Sequence, residues 1–138
     1  MTISATLTAC SVLSTSEPQG QAPANLAGTA WELITGAPTD CSNLPPSMEF
    51  TQDNRVAGDL GCNYFNGEFK LEGKKIRFDR VASTKRMCDA QSMQMEERLI
   101  KFLSNARFVT QDENGLTFWD EKGQVLERYG KEKAGICH

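Results

Sequence analysis

The 138-residue chain contains one histidine, and that residue, His138, is the last in the sequence. Catalytic triads use histidine as their base, and zinc sites usually combine histidines with paired cysteines. No Cys-x-x-Cys pair is present, and no apolar run approaches the roughly 18 residues that a transmembrane helix needs. These absences argue against a triad hydrolase, a zinc protein and a chain that spans the membrane as a helix.

The chain also lacks an excess of positive charge, since 15 basic and 18 acidic residues give a net charge of -3. Nucleic-acid binding usually needs a basic face or stripe, so we predict no nucleic-acid partner. The basic pairs Lys74-Lys75 and Lys85-Arg86 are expected to lie on a solvated surface. A length of 138 residues with 39% hydrophobic and 24% charged residues is typical of a single globular domain.

Five cysteines are many for a cytosolic protein of this length and ordinary for an exported one. Cys10 stands apart near the N-terminus. The other four, Cys41, Cys62, Cys88 and Cys137, could form two disulfides in any of three pairings. The cysteine content therefore predicts an oxidising compartment.

The segment Leu7–Cys10 resembles a bacterial lipobox, in which a cysteine preceded by small residues becomes the acylated N-terminus. Residues 11–24 are rich in serine, proline, glutamine and glycine, which is typical of a flexible tether. Residues 1–6 lack the basic and apolar regions of a signal peptide, which favours a truncated start over an accidental match. We expect residues 1–25 to comprise a signal remnant and tether, with lipid on Cys10 and, from Ser11, sorting to the outer membrane.

Most of the chain after Gly28 alternates apolar and polar residues with the two-residue period of half-buried strands, interrupted by glycine, proline and Asn-Gly turns. Helical periodicity appears once, from Asp89 to Arg107. Its apolar positions are Met95, Leu99, Phe102, Leu103 and Ala106, and its polar positions are Glu96, Glu97, Arg98 and Lys101. The pattern predicts an α+β, mainly β fold: a small, incomplete antiparallel β-barrel of about seven to eight strands with one amphipathic helix.

Two segments carry a recognisable motif, Gly61–Gly67 and Thr84–Cys88. Together with Leu26–Leu33, Met48–Phe50, Gly58, Glu97 and Leu116–Phe118, they resemble the META domain family, which includes HslJ-like bacterial lipoproteins. The resemblance runs from Leu26 to about Tyr129 and implies a META domain over residues 26–130, followed by a tail over residues 131–138. The motif positions, which we expect to be structural, are Gly61, Cys62, Asn63, Phe65, Gly67, Thr84 and Cys88.

The resemblance implies a disulfide between Cys62 and Cys88, which would close a loop of about 27 residues and stabilise the fold by roughly 3 kcal/mol. Cys41 and Cys137 depart from the HslJ-like pattern. We expect them to form a second disulfide that ties the C-terminal tail to an early loop. No cofactor, metal site or catalytic residue is predicted, and the chain is not expected to be an enzyme.

The resemblance further implies a non-catalytic lipoprotein of the bacterial cell envelope, anchored to the outer membrane and facing the periplasm. Its role would be structural, chaperone-like or linked to stress and antibiotic tolerance, with the membrane as a partner and an envelope protein as a candidate partner. One alternative is a carrier of a small apolar ligand or lipid inside the barrel. Another is a peptide-binding pilotin or inhibitor with an unpaired strand edge. Trp119, next to Phe118 on the opposite strand face, is a possible binding surface.

Overall fold

The structure, a computed structural model, describes residues 17–36 and 44–132. Cys10, Cys41 and Cys137, which were predicted to carry lipid or a second disulfide, lie outside these residues. The strands are β1 (Thr29–Leu33), β2 (Ser47–Phe50), β3 (Arg55–Asp59), β4 (Tyr64–Glu72), β5 (Lys75–Ser83), β6 (Phe108–Asp112), β7 (Gly115–Trp119) and β8 (Val125–Lys131), and helix α1 (Ala90–Asn105) lies between β5 and β6.

Each strand pairs antiparallel with the next, and β8 returns to pair with β1. This confirms a mainly β barrel of eight strands with one helix, although the barrel is closed and not incomplete. The weakest seam of the barrel lies between β5 and β6, which share a single register pair, Lys75 with Phe108. Backbone hydrogen bonds flank it, from Ile76 N–H to the Arg107 carbonyl at 3.0 Å and from Val109 N–H to the Lys74 carbonyl at 2.8 Å. So short a ladder leaves little pattern in the sequence.

The barrel interior is filled by aromatic side chains that alternate inward along the strands and reach in from the helix. Successive ring centroids lie between 4.8 and 6.4 Å apart. The rings belong to Phe50, Phe69, Phe78, Phe102, Phe118 and Tyr129. Four of these ring pairs pack edge to face, an arrangement that is favourable beyond the area it buries. The rings occupy the space that a carried ligand would need, so the carrier alternative gains no support.

Helix α1 begins after Asp89, whose side chain accepts hydrogen bonds from the Ser92 N–H at 3.1 Å and the Ser92 hydroxyl at 2.7 Å. These bonds lower the pKa of Asp89 below its ordinary value. The predicted apolar face, with Leu99, Phe102 and Leu103, is buried against the barrel. Among the described residues, no helix has the length and apolar character needed to cross a bilayer.

The hairpin of β4 and β5 is the longest in the barrel, with nine residues in each strand. Its register shifts between Asn66 and Glu68, where Arg80 adopts a φ of 54° and a Cβ on Gly67 would lie 3.0 Å from the Asp79 carbonyl. This β-bulge bends the strands into the narrow barrel. Nine residues of β4 span about 26 Å. We call the end that carries Gly61–Gly67 the motif end, and the end at the β4–β5 turn the turn end.

Residues 17–25, which the sequence assigned to the flexible tether, lie against the barrel. The Lys74 ammonium donates a hydrogen bond to the Pro18 carbonyl at 3.0 Å and lies 3.8 Å from the Glu17 carboxylate. Gln111 N–H donates to the Gln21 carbonyl at 2.8 Å, and Pro18 is buried. The N-terminal segment therefore meets the barrel at the turn end.

A first prediction concerns Gly58 in β3, where an added Cβ would overlap the Ser47 carbonyl oxygen and lie 2.8 Å from the Phe65 ring. Gly58→Ala should lower the free energy of unfolding by about 3 kcal/mol, because backbone atoms would have to shift. Gly130→Ala in β8 is the matched control, since its Cβ would meet its nearest atom at an ordinary 3.5 Å. Urea denaturation of the two variants should separate them clearly. Equal losses would contradict the packing described here.

Candidate functional site

A polar cluster with a buried centre lies at the motif end, and it joins three separate parts of the chain. Its members, which we call the motif cluster, are Cys62, Asn63, Thr84, Arg86 and Glu96. Cys62 and Asn63 come from the turn before β4, Thr84 and Arg86 follow β5, and Glu96 lies on α1. Only 1% of Asn63 and 6% of Glu96 are exposed, so both polar groups depend on protein partners.

Asn63 is the centre of the motif cluster. Its backbone N–H donates to Glu96 Oε1 at 2.9 Å, and its Nδ2 donates to Glu96 Oε2 and to the Arg86 carbonyl, both at 3.0 Å. Its Oδ1 accepts from the Thr84 hydroxyl at 2.8 Å and from Arg86 N–H at 2.6 Å. Asn63 was expected to be structural, and its side chain holds the helix and the segment after β5 to the turn before β4.

A disulfide joins Cys62 to Cys88 with a Cα–Cα distance of 5.9 Å, which confirms the predicted bridge. The Arg86 guanidinium reinforces the same connection, because it donates to the Cys62 carbonyl at 2.6 Å. It also lies 5.5 Å from the centre of the Tyr64 ring. Covalent and polar links therefore fasten the same two segments.

The helix residue in the cluster is Glu96, whereas the sequence indicated Glu97 as the motif position and placed Glu96 on the polar face. Glu97 is exposed and pairs with Lys101 at 3.3 Å. One signal could have found Glu96: it lies three residues before Leu99 and seven before Leu103, which puts it on the buried face. A lone acid on that face requires a buried partner, and Asn63 supplies it.

The remaining motif residues occupy positions in the core, the β-bulge and the turn before β4. Phe65 is part of the core, Gly67 lies in the bulge, and Gly61 has a φ of 106° and donates its N–H to Asp59 at 2.7 Å.

Among the described residues, every buried side-chain nitrogen and oxygen has a hydrogen-bond partner. In the same part of the chain, no group of three or more His, Cys, Asp or Glu side chains could hold a metal ion. Burial raises the pKa of the Tyr129 phenol above its ordinary value.

Trp119 lies away from the motif cluster. Its side chain is half-buried, its indole N–H donates to Thr110 Oγ1 at 3.0 Å, and the neighbouring Phe118 is fully buried in the core. It lines a surface cleft of about 510 Å³ together with Gln19 and Ile34. A binding role for Trp119 stays a prediction.

A second prediction tests the carboxylate at the centre of the cluster. Glu96→Gln keeps the shape of the side chain but replaces one acceptor of the Asn63 bonds with a donor. It should lower the free energy of unfolding by about 1–3 kcal/mol, the usual effect of an unpaired buried polar group. Glu97→Gln is the matched control, because an exposed helix pair contributes only about 0.3–0.5 kcal/mol. The two variants should be compared by chemical denaturation; indistinguishable midpoints would contradict the assignment of Glu96.

A third prediction tests the disulfide. The double variant Cys62→Ala/Cys88→Ala should lose about 3 kcal/mol of unfolding free energy, because its unfolded chain is no longer closed into a loop. Denaturation with and without a thiol reductant measures the effect. Sensitivity to reductant that persists in the double variant would report a further bridge, as predicted for Cys41 and Cys137. A double variant as stable as the oxidised parent would contradict a stabilising role for the bridge.

Solved structures of similar fold exist. A protein from Burkholderia xenovorans matches with a TM-score of 0.68 at 18% identity, covering 84% of this chain and 92% of that one. A second protein solved by NMR matches with a TM-score of 0.60 at 27% identity, covering 77% and 91%. A DUF4847 family protein from Bacteroides vulgatus matches with a TM-score of 0.59 at 14% identity, covering 80% and 96%.

No curated protein matches the chain in sequence. The family model of the META domain matches residues 24–133, a range that includes all eight strands, the helix and the whole motif cluster. The extent of this match and the motif geometry agree: the chain belongs to the META domain family.

Proposed function

We propose that this chain is a non-catalytic lipoprotein of the bacterial cell envelope, anchored through Cys10, whose META domain has a structural or chaperone-like role facing the periplasm. The Cys62–Cys88 disulfide within the motif cluster is the observation that carries the proposal. Structural disulfides persist in oxidising compartments and are rare in the cytosol. A role in stress or antibiotic tolerance would follow from a rigid fold that withstands an exposed environment.

The hydrogen bonds of the motif cluster support a role without turnover. A catalytic nucleophile needs an activating base and access to substrate. Here Asn63 and Glu96 are buried and bonded to each other, the Thr84 hydroxyl donates to Asn63, and the sulfur of Cys62 is oxidised. Each of these groups is bonded within the fold, and the buried Asn63 and Glu96 are closed to a substrate.

The arrangement of the two ends supports an anchored protein with a partner. Cys10 precedes Glu17 by seven residues, and Glu17 meets the barrel at the turn end. A lipid on Cys10 would place the turn end nearer to the membrane than the motif end. Tyr64 and Met87 are exposed there, with 56% and 84% of their surfaces accessible. Exposed apolar side chains at this end would be available to an envelope protein partner.

A second candidate is peptide binding by strand addition, which one edge of the barrel favours. Among the described strands, only β4 pairs with β5 beyond Lys75. Arg80, Val81 and Ala82 are exposed along that part of β5. An extended peptide could form main-chain hydrogen bonds with such an edge.

The anchor is tested in cells that express the protein from its own locus. The chain should be found in the membrane fraction and should incorporate a clickable fatty-acid analogue, whereas Cys10→Ala should be unlabelled and released. Ser11→Ala is the matched control and should keep the label. Thiol trapping in the same cells should find Cys62 and Cys88 blocked until a reductant is added. An unlabelled protein with free thiols at both positions would overturn the proposal.

A further inference from the structure

A cleft of about 530 Å³ opens at the turn end, across the seam between β5 and β6. We call it the turn-end cleft. Its walls come from the end of β4, the start of β5, the start of β6 and the β7–β8 turn. The charged residues that line it are Lys70, Glu72, Lys75, Arg77, Arg107 and Glu121.

The turn-end cleft has four cationic side chains against two anionic ones, although the whole chain carries a net charge of -3. Lys70 and Arg77 are direct cross-strand partners, an arrangement in which like charges repel. Among the described residues, no carboxylate lies within salt-bridge distance of Lys70, Lys75 or Arg107. Arg77 pairs with Asp79 at 3.7 Å, and Glu72 is the cross-strand partner of Lys75, so the excess positive charge of the cleft lies chiefly at Lys70 and Arg107.

Apolar side chains also contribute to the cleft. Leu71 and Phe108 are half-buried and line the same cleft, with Ile76 beneath them in the core. Cations beside exposed apolar atoms suit a ligand that carries a phosphate next to hydrocarbon, such as a phospholipid at a membrane surface. A small hydrophilic anion would make no use of the apolar part.

The position of the N-terminal segment points to the same surface. Lys74, which precedes Lys75 of the cleft, binds Glu17 and Pro18. The seven residues from Cys10 to Glu17 reach at most about 25 Å when extended, and about 15 Å on average if flexible. A lipid on Cys10 would thus hold the cleft close to the headgroups of its own leaflet.

We propose that the turn-end cleft binds the phosphate groups of anionic phospholipids in the leaflet that carries the Cys10 anchor. The orientation of the domain rests on the proposed anchor, whereas the affinity of the cleft for lipid does not. The cleft adds a second, electrostatic attachment to the membrane. It directs the motif end away from the bilayer and towards the periplasm.

The test measures vesicle binding by the full chain carrying Cys10→Ala, so that no acyl chain contributes. It should bind phosphatidylcholine vesicles that contain phosphatidylglycerol, bind pure phosphatidylcholine vesicles far more weakly, and dissociate as salt is raised. In this background, Lys70→Gln/Arg77→Gln should weaken binding roughly 25-fold, at about fivefold for each lost cation. Both side chains are exposed, so the fold should be retained, as circular dichroism would verify.

Lys85→Gln/Lys101→Gln is the matched control, because it removes the same charge from exposed positions outside the cleft. Its binding should stay within about twofold of the parent. Equal losses in the two double variants, or no binding to anionic vesicles, would overturn the proposal. Full displacement by inorganic phosphate at matched ionic strength would also overturn it, in favour of a free anion. Because these vesicles need no acylation, a negative fatty-acid label in cells would remove the anchor and leave this result standing.

Discussion

The carboxylate of Glu96 accepts two hydrogen bonds from Asn63, one from the backbone and one from the side chain, and the rest of the motif end depends on this pairing. Both residues are buried, so either one alone would leave an unsatisfied polar group inside the protein. The pair fixes helix α1 against the turn before β4. It also sets the position of Arg86 and hence of the strand exit that leads to Cys88.

Helix α1 in turn stabilises the barrel at the seam between β5 and β6. Phe102 packs edge to face against Phe78 and stacks on Tyr129, so the aromatic core continues across the seam where the β ladder almost stops. Burial of apolar surface is the dominant favourable term in folding, and here it compensates for a seam with one register pair. The polar cluster and the aromatic core thus act on the same helix from two directions.

The sequence predicted the strands, the helix and the Cys62–Cys88 bridge because each leaves a local signal: alternation, helical spacing or a motif. Closure of the barrel left no such signal in the sequence, because the ladder between β5 and β6 has one register pair, Lys75 with Phe108, and is too short to produce a pattern. Glu96 was assigned to the wrong face because charged residues are usually solvated, and only its distant partner Asn63 overrides that preference. Docking of residues 17–25 was missed because Lys74 and Pro18 are 56 residues apart.

The single register pair between β5 and β6 also determines where the barrel can open locally. Local opening begins where backbone pairing is sparse, so this seam is the natural place for the barrel wall to part. The disulfide joins Cys62, before β4, to Cys88, just before α1. It therefore limits how far the start of the helix can move when the seam opens. Such a molecule can fluctuate at one seam while the other strand pairs of the barrel stay formed.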